Sequence, residues 1–230
     1  MPDQLSKTAS QVDVAAFLEK VKQLAMAPNT GEGRLIFAMD ATMSRQPTWD
    51  KALGIQGQMF IEAKKAGGLQ VQLLYFRGFG ECRASKWVAD PETLGRLIGK
   101  VSCQGGNTQI GRVLDHVKNE TAKSRVNAVI YVGDAQEEKI DKLCQSAGEL
   151  GLMGTPIFMF QEGDDRAAMT GFRELARLTR GAYFKLDENS PNVLAELLRA
   201  VAAYAAGGRK ALADKAKGGS AARLLLDQIG

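Results

Sequence analysis

Arg34–Ser44 reads RLIFAMDATMS and decides the fold of this chain. An apolar run of strand character delivers Asp40, and two hydroxyls follow at Thr42 and Ser44. That is the form of the first strand of an open α/β sheet, in which ligands sit beyond the carboxyl ends of the strands, near the point where strand order reverses. Carboxylate, hydroxyl and hydroxyl at alternate positions are hard oxygen donors. They suit a cation such as Mg2+ better than a proton-transfer reaction. The same residues also read as a helix start, with Thr42 or Ser44 capping the first N–H groups.

On the amino-terminal side, Gln11–Met26 carries Val12, Val14, Ala15, Phe17, Leu18, Val21 and Leu24 at close to helical spacing, with Ser10 as N-cap. Ala27-Pro28-Asn29-Thr30-Gly31 is turn chemistry that ends it. After Ser44, Pro47 opens a helix with a broad apolar face that runs to about Ala66 and closes at Gly67-Gly68. Leu69–Phe76 reads as a strand, and Glu81–Val88 as an edge strand joined to it through Arg77-Gly78-Phe79-Gly80. A short helix from Pro91, a polar loop Ser102–Thr108, and a helix through Ile110, Val113, Leu114 and Val117 come next.

Asn127–Val132 is apolar without alternation, as a central parallel strand covered on both faces must be. Helix Glu137–Leu150, strand Thr155–Phe160, helix Ala167–Thr179, strand Ala182–Leu186 and helix Pro191–Ala206 complete the alternation. The expected fold is a doubly wound, mostly parallel, Rossmann-like sheet with one antiparallel edge strand and helices on both faces. Three segments are expected: an N-terminal helical extension over 1–30, the α/β domain over 31–207, and a basic tail over 208–230. Ala221–Ile229 in that tail is apolar enough to form a short docked helix.

Composition narrows the function. With 45% hydrophobic and 24% charged residues in 230, the chain has an ordinary globular make-up and enough length to bury a core without disulfides. Cys82, Cys103 and Cys144 are odd in number and lack C-x-x-C spacing, so they read as reduced packing residues with no zinc site. His116 is the only histidine and reads as packing or surface. The start lacks a secretory pattern and no segment approaches the roughly 18 apolar residues of a membrane span, so a cytoplasmic protein with no membrane association is expected. Beyond Gly207 five basic residues face two acidic ones, which accounts for most of the net charge of +4. The body is nearly neutral, against binding of nucleic acid through a basic face.

In strand order 3-2-1-4-5-6 the strands before Asp40 and Asp134 are neighbours whose carboxyl ends flank the reversal, and Thr108 enters from the loop between them. The set Asp40, Thr42, Ser44, Thr108 and Asp134 contains two carboxylates and three hydroxyls. Here the chain resembles the von Willebrand factor A domain family, whose metal-ion-dependent adhesion site uses D-x-S-x-S, a distant threonine and a distant aspartate. The resemblance spans roughly Arg34 to Gly207. Gly106-Asn107-Thr108-Gln109-Ile110-Gly111 is similar to the family's third segment, and Phe172-Arg173-Glu174-Leu175-Ala176 with Gly181-Ala182-Tyr183-Phe184 to its late helix-to-strand passage. Thr42, Met43 and Ala135 depart from the usual serine, glycine and glycine. What the resemblance implies is Mg2+ or Mn2+ held by those five residues. A coordination position stays open for a carboxylate of a partner protein, so binding is implied and turnover is not.

D-x-T-x-S with a distant Gly133-Asp134 also looks like a haloacid dehalogenase-type phosphotransferase, with Asp40 as nucleophile. That reading needs a lysine and a further acid, for which Lys123 and Glu137 or Glu138 are available, and it leaves Thr108 unexplained. Glu137 and Glu138 read more simply as first-turn residues of the following helix. Arg45 and Trp49 lie where a partner would touch, although Trp49 also suits the core. No phosphate-loop or dinucleotide glycine motif follows any strand.

Overall fold

β1 (Gly33–Asp40) runs through the middle of a six-stranded sheet, between β2 (Leu69–Arg77) and β4 (Ala128–Gly133). The computed structural model describes residues 32–43, 68–186 and 191–229. The expected helices over 11–26 and from Pro47 to about Ala66, together with Ser44, Arg45 and Trp49, lie outside those residues. Full strand order is β3-β2-β1-β4-β5-β6, with β3 (Glu81–Ala84), β5 (Ile157–Gln161) and β6 (Tyr183–Lys185). Every neighbouring pair is parallel except β2 with β3, which form the antiparallel hairpin at one edge. This is the doubly wound order expected from the sequence.

Why β1 is central follows from what covers it. Leu35, Phe37 and Met39 face a core shared with α1 (Pro91–Ile98), α5 (Pro191–Ala216) and α6 (Ser220–Gln228). Ile36 and Ala38 face the opposite core, built with α2 (Ile110–Lys123), α3 (Ile140–Leu152) and α4 (Arg166–Leu178). A strand between two helical layers has no solvent face, so an unbroken apolar run is the pattern it requires.

Three boundaries differ from expectation for stated reasons. The edge strand stops at Ala84, because the Ser85 hydroxyl takes the place of a backbone acceptor for Leu73 N–H; beyond the Ser85 N–H bond to Leu73 O, pairing resumes at a single bridge between Val71 and Val88. α3 begins at Ile140, since Glu137 turns away to the Thr108 loop and Glu138 to the start of α2. α5 passes the expected stop at Ala206: Gly208, at φ 67°, kinks the chain, and Leu212 and Ala216 beyond it are buried in the first core.

Candidate functional site

The carboxyl edge of the sheet carries Asp40, Thr42, Thr108 and Asp134 of the residues singled out from the sequence. Met39 pairs with Val132, so Asp40 and Asp134 follow one and two residues beyond matched positions on neighbouring parallel strands. Asp40 is 1% exposed, and its Oδ1 accepts the Thr42 N–H at 2.8 Å, which fixes both the carboxylate and the turn out of β1. Thr42 is buried, whereas Met43 next to it is 63% exposed. Asp134 is partly exposed at the exit of β4. Ser44 lies outside the described residues.

Thr108 arrives on the loop before α2, and that loop is bonded to all three strand exits around it. Gln104 N–H donates to Ala41 O at 2.9 Å beside the end of β1, and Ala41 N–H donates to Phe76 O of β2 at 2.9 Å. Asn107 N–H donates to Gly78 O at 3.2 Å in the β2–β3 turn. Gln109, itself buried, sends its amide to Arg77 O and Gly78 O at 3.1 and 3.3 Å. Gly106 is required here: a Cβ at that position would stand 2.1 Å from Gly78 O.

Glu137 and Glu138 do not serve the first turn of α3, as the sequence suggested; they reach across to Thr108 and α2. Thr108 N–H donates to Glu137 Oε2 at 2.8 Å, and Glu137 N–H donates to the Thr108 hydroxyl oxygen at 3.1 Å, a reciprocal pair. Glu138 accepts from Ile110 N–H and, at 2.9 Å, from Gly111 N–H. Gln109, the cap residue of α2, makes no side-chain cap bond, so Glu138 does that work from another segment and places negative charge at the positive end of the helix dipole. Burial nevertheless pushes the Glu138 carboxyl above its ordinary value, with the neighbouring charge of Glu137 in the same direction and the two backbone N–H groups opposing. The sequence held no signal for these bonds, because they join segments 27 to 29 residues apart.

Lys123 is the lysine the phosphotransferase reading needed. It pairs with Glu120, which also binds Arg34 at the start of β1, so it stands at the opposite end of the sheet from Asp40. Its nomination for a role beside Asp40 is therefore corrected.

The donor set is all oxygen. Among the described residues no three His, Cys, Asp or Glu side chains cluster closely enough to hold a metal, so a cation at this edge depends on hydroxyls as well as on Asp40 and Asp134. Thr42 is pinned through its own backbone N–H and Thr108 through the Glu137 bonds, and both are buried at the strand exits, so the set fits a hard divalent ion. Cys82, Cys103 and Cys144 form no disulfide, and burial pushes the Cys82 thiol up to about 11, unsuited to ligation or nucleophilic use. No helix among the described residues is long and apolar enough to cross a membrane.

A six-stranded doubly wound sheet with an antiparallel edge hairpin and an oxygen-lined switch point defines a class of fold, and solved structures identify it. A domain described as von Willebrand factor type A from Catenulispora acidiphila superposes with a TM-score of 0.60 at 18% identity, over 77% of this chain and 43% of that one. Proximal thread matrix protein 1 of the mussel byssus, in a structure with a zinc-occupied MIDAS motif, gives 0.57 at 15% identity, over 76% and 46%. The SpRpn10 VWA domain gives 0.55 at 12% identity, over 77% and 97%. This chain has the von Willebrand factor A fold, and it spans under half the length of the first two of these proteins. No family model and no curated protein matches its sequence.

Proposed function

We propose that the chain is a metal-dependent protein-interaction module, in which Asp40, Thr42, Ser44, Thr108 and Asp134 hold Mg2+ or Mn2+ and a partner's carboxylate completes the shell. The observation that supports this reading is that Asp40 and Asp134 follow matched positions on neighbouring strands at the strand-order reversal, with Thr42 bonded to Asp40 and Thr108 bonded to Glu137, three residues beyond Asp134. Two aspartates balance a divalent charge, and hydroxyl donors leave the ion electrophilic toward a further anionic ligand. When bound, the metal supplies Lewis acidity for that ligand. The chain's own part is to orient the donors and to exclude competing side chains. A zinc-occupied MIDAS motif in the mussel protein lends support by likeness of fold. Residues 31–207 make up the module in this reading, with 1–30 as an appendage and 208–230 packed onto it through Leu212, Ala216 and Leu225, in a cytoplasmic setting.

Catalysis is not part of the proposal, since the lysine a phosphotransferase would need at Asp40 stands at the far end of the sheet. The test is thermal unfolding with Mn2+ or Mg2+ titrated in, for wild type and Asp40→Asn, which keeps an acceptor for the Thr42 N–H and removes the charge. At a hundredfold excess over its dissociation constant the ion stabilises by about 2.7 kcal/mol. That corresponds to roughly 5–10 °C for a chain of this size. A wild-type midpoint unmoved by either metal, or an equal rise in Asp40→Asn, refutes the reading. Phosphate release from p-nitrophenyl phosphate that disappears in Asp40→Asn would replace it with the phosphotransferase.

A further inference from the structure

We propose that the tip of the β2–β3 hairpin, with Phe79 at its apex, is a preformed anchor for a protein partner whose surface offers an apolar pocket rimmed by carboxylates. Phe79 is 87% exposed, the most exposed large apolar side chain among the described residues. A phenylalanine in water adds nothing to the stability of the fold, and at a turn between Gly78 and Gly80 a small polar residue would serve the backbone equally well.

The turn beneath Phe79 is held from several directions. Gly78, at φ 60°, takes hydrogen bonds on its carbonyl from Asn107 N–H and the Gln109 amide. Arg77 bonds Glu81 across the hairpin at 3.0 Å, and both the carbonyl and the hydroxyl of Ser102 on the loop behind it. Arg112 of α2 donates to Gly80 O. An aromatic side chain projecting from a turn fixed by these bonds loses little freedom on binding, which is the property of an interface anchor.

Charge selects the partner. Arg77, Arg83 and Arg112 surround the turn, and Glu81, bonded to Arg77 and Arg83, is the acid among them. Arg83 is largely exposed, so its guanidinium remains open to solvent on the sides away from Glu81. The complement is a pocket for one ring with acidic residues at its rim. A membrane surface is a poorer match, since one ring and a small net charge fall short of the paired signals that stable membrane attachment needs. The anchor stands beside the Thr108 loop, through the bonds to Gly78, and therefore adds to the proposed carboxylate contact a second one that requires no metal. It shares with the proposed function only the premise that this edge binds protein.

The experiment uses the full chain as bait for a phage-displayed random peptide library, in EDTA and again in Mg2+. Enriched sequences are then synthesised and titrated against wild type, Phe79→Ser and Phe79→Trp. Acidic peptides with an apolar or aromatic residue should be enriched in EDTA. Their affinity should fall about tenfold or more in Phe79→Ser and be largely kept in Phe79→Trp, as for an interface hot spot. Phe79 is solvent-exposed, so unchanged melting of Phe79→Ser shows that a loss of binding is not a loss of fold. Vesicles of phosphatidylserine in phosphatidylcholine form a parallel arm. The proposal is overturned by absence of enrichment, by peptides that bind Phe79→Ser as well as wild type, or by Phe79-dependent vesicle binding without peptide enrichment. Because the decisive arm is run in EDTA, its outcome is independent of whether Mn2+ binds at Asp40.

Discussion

His116 is the one histidine of the chain, and the structure gives it a defined place: half-buried on α2, with Nε2 2.8 Å from Gln72 Oε1 on β2. Burial lowers its pKa from the ordinary 6.5; Glu120 pulls it back up and Lys123 pushes it down. The sign follows directly. The unfolded chain takes up the proton at higher pH than the folded one, so stability is intact above about 6.5 and falls as pH drops through that value toward the depressed folded pKa. The slope there is bounded by one proton, about 1.4 kcal/mol per pH unit. Urea denaturation from pH 7.5 down to 5 should show this decline in wild type and a flatter profile in His116→Gln, which retains a hydrogen-bonding partner for Gln72. Equal slopes would mean that carboxylates, not His116, govern this range. Glu120 belongs to the same cluster, bonded by Lys123, Trp87 and Arg34, while Arg34 stacks over Trp87 at 3.8 Å. Burial alone would raise the Glu120 carboxyl, but those bonds hold it below its ordinary value, so its contribution is lost only in stronger acid.

At the scale of elements, the last two helices show what local pattern can and cannot reveal. Leu225 of α6 is fully buried, Leu226 packs partly against the same core, and Leu224 is 54% exposed, so the triple leucine offers one inward side to the sheet. Gln228 closes the arrangement by accepting Tyr183 N–H of β6. Leu225→Ala should therefore cost about 2–5 kcal/mol, as for other fully buried leucines. Leu224→Ala should stay within about 0.5 kcal/mol. Urea midpoints decide, and similar midpoints for the two variants would mean that α6 is not docked in solution. The sequence made the apolar runs of β1, β4 and β5 plain, and with them the strand order, because burial on both faces leaves no room for polar residues. It misplaced the end of α5, since a Gly-Gly pair marks a break in local conformation without saying whether helix resumes. It overextended the edge strand because a serine hydroxyl standing in for a backbone acceptor has no hydropathic signature.

At the scale of the whole molecule, the carboxyl edge is one mechanically linked surface. The Thr108 loop is bonded to the exit of β1 through Ala41, to the hairpin through Gly78, and to the segment after β4 through Glu137 and Glu138. The places of Asp40 and Asp134 at strand ends and of Thr108 in the loop before α2 were legible because each ends or borders a strongly patterned element. The two glutamates that join their loops were not, because the donors to their carboxylates are backbone N–H groups on a distant segment, invisible to any periodicity. Linkage of this kind has a measurable consequence. Glu138→Ala leaves the Ile110 and Gly111 N–H groups without their carboxylate and removes the negative charge at the start of α2. The loss should be about 1–3 kcal/mol, moderated by relief of the buried charge. At roughly 2–4 °C of melting temperature per kcal/mol the protein remains folded and assayable. Hydrogen exchange at residues 108–111 should speed up, and the stabilisation proposed for Mn2+ should shrink, because the Thr108 loop and the Asp134 loop are no longer held in one relation. The control is Glu149→Ala, on α3 and paired with Lys118, which should lower stability slightly and leave the Mn2+ response intact. If Glu138→Ala speeds exchange but leaves the Mn2+ shift at its wild-type size, the strap stabilises α2 alone, and the donors at the strand exits are positioned without it.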